Sequence, residues 1–226
     1  MYRSTFSALI LCLGLLAGCA SKDEKPAVAK VEMPAPEVSH AWLDEYEPKV
    51  KVAIEGSGFE LERKENVLRV IAPADLTFNR DRPSMLMPST LAPFSKLAKL
   101  VETDPNVGIL ILGHADSSGP EEVNRNLSRD RAASVTAIFR LSGLQQDRLL
   151  RQGVGSDMPR AANDSAEGRA LNRRVEIILT RQDTLIALIQ QYSKPAPAAV
   201  AATPEAGAQA AGAREASPRV VAAKEK

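Results

Sequence analysis

A chain of 226 residues can hold one domain of ordinary size with flanking segments, and 29 Lys+Arg against 28 Asp+Glu lack the basic excess that nucleic-acid binders carry. Aromatic residues at 4% exclude a broad stacking platform for sugars or bases. Two histidines supply an imidazole-built metal site poorly, so no metal and no cofactor are expected.

Residues 1–18 read as an export signal. Arg3 supplies the positive start, Phe6 to Leu16 the apolar run, and Leu16-Ala17-Gly18-Cys19 a small-residue cleavage site. The apolar run is too short to span a bilayer comfortably. The Leu-Ala-Gly-Cys sequence resembles the bacterial lipobox, in which the cysteine becomes the first mature residue and is lipidated, palmitate being the expected type of chain. An ordinary signal peptide with a chance cysteine is the plainer alternative. Cys12 is lost with the signal and Cys19 would be acylated, which leaves no disulfide. Ala20 and Ser21 stand where Asp tends to mark inner-membrane retention, which implies a lipid anchor in the outer membrane and a domain facing the periplasm.

Residues 19–41 mix Lys, Glu, Ala and three prolines without a core-forming pattern, and are expected to form a flexible tether. Fully extended, about 20 residues reach roughly 60 Å. Trp42 to Gly58 stays open: Val50, Val52 and Ile54 alternate like a strand, while Leu43, Tyr46 and Val50 suit a helix. Phe59 to Arg63 and Val67 to Ala72 read as a hairpin. Leu76-Thr77-Phe78 ends in a polar loop, and Ser89 or Thr90 can cap a helix carrying Leu91, Phe94, Leu97, Ala98 and Val101.

Ile109 to Gly113 is a continuous apolar run, as in a strand covered on both faces, and it delivers His114 and Asp116 into a Gly-containing turn. Glu121 to Ser142 has a helical pattern with Leu127, Ala132, Val135, Ile138 and Phe139 on one face. The opposite face holds Arg125, Arg129, Thr136 and Arg140, most simply a solvated one that could also meet anionic polymer. Asn124 and Arg131 break the division. A guanidinium in an apolar stripe is costly unless paired, and Asp116 is the acid at hand. Leu149 to Val154 and Arg174 to Thr180 read as further strands, with a loop between them. Residues 183–193 form a short amphipathic helix with Leu185, Leu188, Ile189 and Tyr192, and residues 194–226 an Ala/Pro-rich tail expected to be disordered.

These residues resemble the OmpA-like C-terminal domain family, which binds peptidoglycan. The resemblance runs through Phe78, Asp81, Gly113-His114-Ala115-Asp116, Asn124, Leu127-Ser128, Arg131-Ala132, Gly153-Val154-Gly155 and Asn172-Arg173-Arg174-Val175-Glu176. It covers a core of residues 59–180 within an expected domain of 42–182. It implies an α/β fold, βαβαβ, with two helices packed on one side of a mixed parallel and antiparallel sheet. It also implies a pocket for the diaminopimelate of the cell-wall peptide stem. Carried over by position, Asp116 would accept the ligand's ammonium and Arg131 would bind its carboxylate, the pair neutralising each other when no ligand is present. An Arg fork suits a carboxylate on general grounds. Asp81, Asn124, Ser118 and Arg173 are weaker candidates, each with an alternative role as a loop or capping group. Asn79 and Ala115 depart from the family pattern, where Asp and Thr are usual.

The function implied is a non-catalytic tether between outer membrane and peptidoglycan. The runner-up is a wall-anchoring subunit of an envelope machine, of the secretion or Tol–Pal type, with protein partners. A hydrolase using His114 and Asp116 is a third reading, though no Gly-x-Ser-x-Gly elbow is present. The Asp116–Arg131 pair could also be purely structural, but buried ion pairs contribute little net stability compared with apolar residues of the same size. His114 is expected to be a structural residue hydrogen-bonded in the turn.

Overall fold

The computed structural model describes residues 36–193. The expected signal peptide, Cys19 and the Ala/Pro-rich tail lie outside the described residues. In chain order the elements are α1 (Pro36–Ile54), β1 (Glu60–Lys64), β2 (Val67–Pro73), α2 (Ala74–Thr77), α3 (Pro88–Glu102), β3 (Val107–Gly113), α4 (Glu121–Leu141), β4 (Leu149–Gly153), α5 (Ala166–Asn172), β5 (Arg174–Arg181) and α6 (Gln182–Ser193). The expected tether therefore gives way to helix at Pro36, inside the 19–41 span.

The stretch left open resolves as helix. Leu43, Tyr46 and Val50 are buried at helical spacing, and Ile54 follows one turn on. Val52, which made the alternation look like a strand, is 67% exposed. Helix α3 starts ahead of its expected Ser89 or Thr90 cap, because Pro88 takes the first helical position, where its missing N–H costs nothing. Its C-terminal end is closed from a distance. Arg148 donates to the carbonyls of Val101, Glu102 and Asp104, placing a cation at the negative end of the helix.

The sheet has the order β1-β2-β5-β3-β4. The β1/β2, β2/β5 and β5/β3 pairs are antiparallel, and β3/β4 is parallel. It is thus the expected mixed sheet. Alternation along the strands sends two sets of side chains to opposite faces. Val70, Ile109, Ile111, Ile177 and Leu179 meet Phe94, Leu97, Val135 and Phe139 from α3 and α4, with α1 joining on the same side. Leu110, Leu112 and Ile178 meet Leu185 and Leu188 of α6 on the other. Both helices of the βαβαβ unit lie on one side as expected; the fully apolar β3 has its second cover from α6.

Two close approaches fix α4. A Cβ on Gly113 would sit 1.9 Å from the Ser128 carbonyl oxygen, and one on Gly153 would sit 2.4 Å from the Arg129 nitrogen. Bare backbone at both strand ends lets the helix backbone rest on the sheet. The Ser128 hydroxyl then accepts the Gly155 N–H at 2.9 Å. Thr136, assigned to the polar face by its spacing, is instead buried, its hydroxyl donating to the Ala132 carbonyl at 2.6 Å.

Candidate functional site

The ends of β2, β3 and β4 and the start of β5 lie at one edge of the sheet. Pro73 pairs with Arg174, and Gly113 with both Val175 and Gly153. The segments that continue from these ends are cross-tied there. The Ala74 N–H donates to the Arg173 carbonyl, that of His114 to Arg174, and that of Ala115 to Gly155. Asp75, Asp116 and Arg173 are thereby delivered to one place, and α4, seated on Gly113, brings Arg131 from above.

The ion pairing differs from the expectation. Asp116 is not paired with Arg131; its partner is Arg173, whose Nη1 donates to Oδ2 at 2.8 Å. The other carboxylate oxygen, Oδ1, accepts the Ser118 N–H at 2.8 Å. Arg173 turns its remaining fork to Asp75, Nε to Oδ1 at 3.1 Å and Nη2 to Oδ2 at 2.6 Å. It is therefore bracketed by two carboxylates. The physical reason is position: β5 begins directly beside the ends of β2 and β3, whereas Arg131 reaches in from the helix layer. Asp75 was not singled out by sequence reasoning. The signal was its place just past Pro73, whose register partner is Arg174, but the register itself is not written in the sequence.

Arg131 is 6% exposed. Its Nε donates to the Pro83 carbonyl at 2.8 Å, and its guanidinium lies 5.4 Å from the centre of the Phe78 ring. Its Nη1 is buried and has no hydrogen-bond partner among the described residues. Burial lowers the Arg131 pKa, an effect opposed first by Asp75 and more weakly by Asp116, with Arg173 adding to the lowering. Burial pushes the Asp116 carboxyl up, but Arg173 and the Ser118 N–H outweigh it and hold the group below the usual carboxylate range. The Arg173 hydrogen bonds lower Asp75 likewise, and Asp75 and Asp116 together raise Arg173.

The weaker candidates divide. Asn124 is buried and donates through Nδ2 to the Asp116 carbonyl at 3.0 Å, which anchors the turn. Ser118 orients the Asp116 carboxylate through its backbone. Arg173 is central. Asp81 is exposed; its N–H and that of Arg82 donate to Asn79 Oδ1, a turn that the Asp usual at position 79 would build in the same way. That loop is held to α4 at Arg131 and by the Ser134 hydroxyl, which donates to the Ser84 carbonyl at 2.7 Å.

His114 does not bond within the turn. It lies on the α6 face of the sheet, 1% exposed, with Nε2 3.6 Å from Glu176 Oε1, beyond normal hydrogen-bond reach. Arg174 donates to Glu176 at 2.8 Å in the same cluster. With Asp116 engaged by Arg173 and Ser118, the two residues of the hydrolase reading are not joined. Among the described residues, no group of three His, Cys, Asp or Glu side chains could hold a metal ion, and no helix is long and apolar enough to cross a membrane.

The OmpA family model matches residues 77–173. The probable lipoprotein YiaD of Escherichia coli is 31% identical over 139 residues, 62% of this chain and 63% of that protein. The peptidoglycan-binding protein ArfA of Mycobacterium tuberculosis is 31% identical over 51% of this chain and 35% of its own length. The chain thus spans less than two thirds of these curated relatives. A putative MotB-like protein from Desulfovibrio vulgaris has the same fold, with a TM-score of 0.57 at 27% identity over 65% of this chain and 96% of that one.

Proposed function

We propose that this chain, whose residues 77–173 match the OmpA family model, is a non-catalytic lipoprotein. It holds peptidoglycan by the diaminopimelate of the peptide stem and is anchored through Cys19 in the outer membrane. The observation that carries the reading is the buried Nη1 of Arg131, unpartnered among the described residues, on a guanidinium that feels the charges of Asp75 and, more weakly, Asp116. A zwitterionic amino-acid end needs one acid and one base close together. Arg131 has a donor unspent, and a carboxylate that accepts Arg173 and Ser118 keeps lone pairs for an ammonium. The kinship with a protein named for peptidoglycan binding and another named a probable lipoprotein supports the same reading. Asn124 serves by anchoring the turn, while Asp81 gives the loop a backbone N–H only.

The test is sedimentation of the full-length protein with purified diaminopimelate-type and lysine-type walls. Lysine lacks the carboxylate beside the distal ammonium, so Arg131 would stay desolvated without its ligand partner, a loss on the order of 2–5 kcal/mol. Binding is expected to favour the diaminopimelate wall. Arg131→Ala should weaken that binding and narrow the difference, whereas Asp116→Ala should weaken both. Equal binding to both walls by the wild type would refute the assignment of Arg131.

A further inference from the structure

The site holds one more cation than a zwitterion requires. Arg131 and Arg173 supply two guanidiniums, and Asp116 alone would leave a cationic site suited to simple anions. Asp75 restores the balance. It takes the Nε/Nη2 fork of Arg173 in two hydrogen bonds, leaving that guanidinium to meet Asp116 through Nη1 alone. Three of the five N–H groups of Arg173, its Nε/Nη2 fork among them, are thus taken before a second carboxylate arrives. Resting on the function proposed above, we infer that Asp75 is a positioning residue that keeps the site neutral and Arg173 occupied, so that it takes a head group bearing both ammonium and carboxylate and rejects one bearing carboxylate alone.

Two observations favour this over a purely structural fastening. The backbones that the fork would join are already tied, since the Ala74 N–H donates to the Arg173 carbonyl at 2.8 Å. The charge of Asp75 also reaches past Arg173, as it is the leading charged group offsetting the burial of Arg131. The Asp75 side chain is 51% exposed, so water screens part of its field and replacing it should leave the fold intact.

The experiment is calorimetric titration of the full-length chain with two soluble peptides, L-Ala-γ-D-Glu-meso-diaminopimelate and its analogue lacking the distal amino group. The wild type should prefer the zwitterionic peptide. Asp75→Asn and Asp75→Ser should each cut that preference by about tenfold, as expected for removing one unit charge several ångströms away at intermediate dielectric, and Asp75→Glu should restore it. Thermal unfolding of each variant confirms that it is folded. An unchanged preference in folded Asp75→Asn and Asp75→Ser overturns the role of Asp75 and leaves the proposed function standing. A wild type that binds neither peptide overturns both.

Discussion

Among the described residues Arg131 combines a buried guanidinium, no ion pair within contact distance and one unpartnered nitrogen, which is poor chemistry for stability. Its bond to Pro83 and its place over Phe78 offset only part of the desolvation. Arg131→Met should therefore leave the melting temperature unchanged or raise it, by up to about 2 kcal/mol, which is roughly 4–8 °C for a chain this long. Wall binding should be lost in the same variant. A melting temperature several degrees lower would show that Arg131 serves the fold instead. His114 makes a different prediction, about pH. Burial lowers its pKa from the ordinary 6.5, more strongly than Glu176 raises it. Below pH 6.5 the unfolded chain takes up a proton that the native imidazole refuses, so stability falls as pH falls. The carboxylates act lower: Asp116 and Asp75 are held below 3.8, so their contribution is present above that value and is lost as pH drops through the folded pKa. Melting temperatures measured from pH 8 to 5 should stay level and then decline below about 6.5, and His114→Phe should flatten that decline. A wild-type decline that persists unchanged in the variant would remove His114 as its source.

At the scale of elements, the site depends on how closely α4 rests on the sheet. Gly113→Ala places a methyl 1.9 Å from a helix carbonyl, which backbone cannot avoid without moving. The expected cost is about 1–3 kcal/mol from overpacking, and wall binding should fall further because Arg131 rides on the displaced helix. Ala substituted at Gly119, where nothing lies within 4 Å, is the control for general turn effects, its own strain coming from a φ of 101°. Helix α6 offers a second test. Leu185 is 1% exposed against Leu110, Leu112 and Ile178, and Leu185→Ala should cost about 2–5 kcal/mol. Binding by the protein that remains folded should be unchanged, since α6 covers the face away from Arg131. A binding loss beyond the folded fraction would place α6 in the function.

For the whole molecule, what was legible in the sequence was what local pattern encodes. The run from Ile109 to Gly113 announced a strand covered twice, and the spacing around Arg131 showed a cation out of place. The pairing was not legible. Arg173 reaches Asp116 through strand register and Asp75 through the start of α2, and such long-range partners leave no periodic trace. Helix α5 also escaped notice, because its seven residues are too few to repeat a pattern; its signal was Ser165, whose hydroxyl accepts the Gly168 N–H. The proposed tether makes its own demand on the intact protein: its two attachments must be separable. On that reading Cys19→Ser removes the proposed lipid alone, so the variant should leave the membrane fraction and still sediment with purified walls. Asp116→Ala should do the reverse, staying with membranes and leaving the walls, and the double variant should stay in solution. Stable anchoring by acyl chains does not depend on ionic strength, so the membrane-bound fraction of the wild type should survive a high-salt wash. If Cys19→Ser survives that wash too, another segment or a protein partner holds the chain at the membrane, and the lipoprotein reading fails.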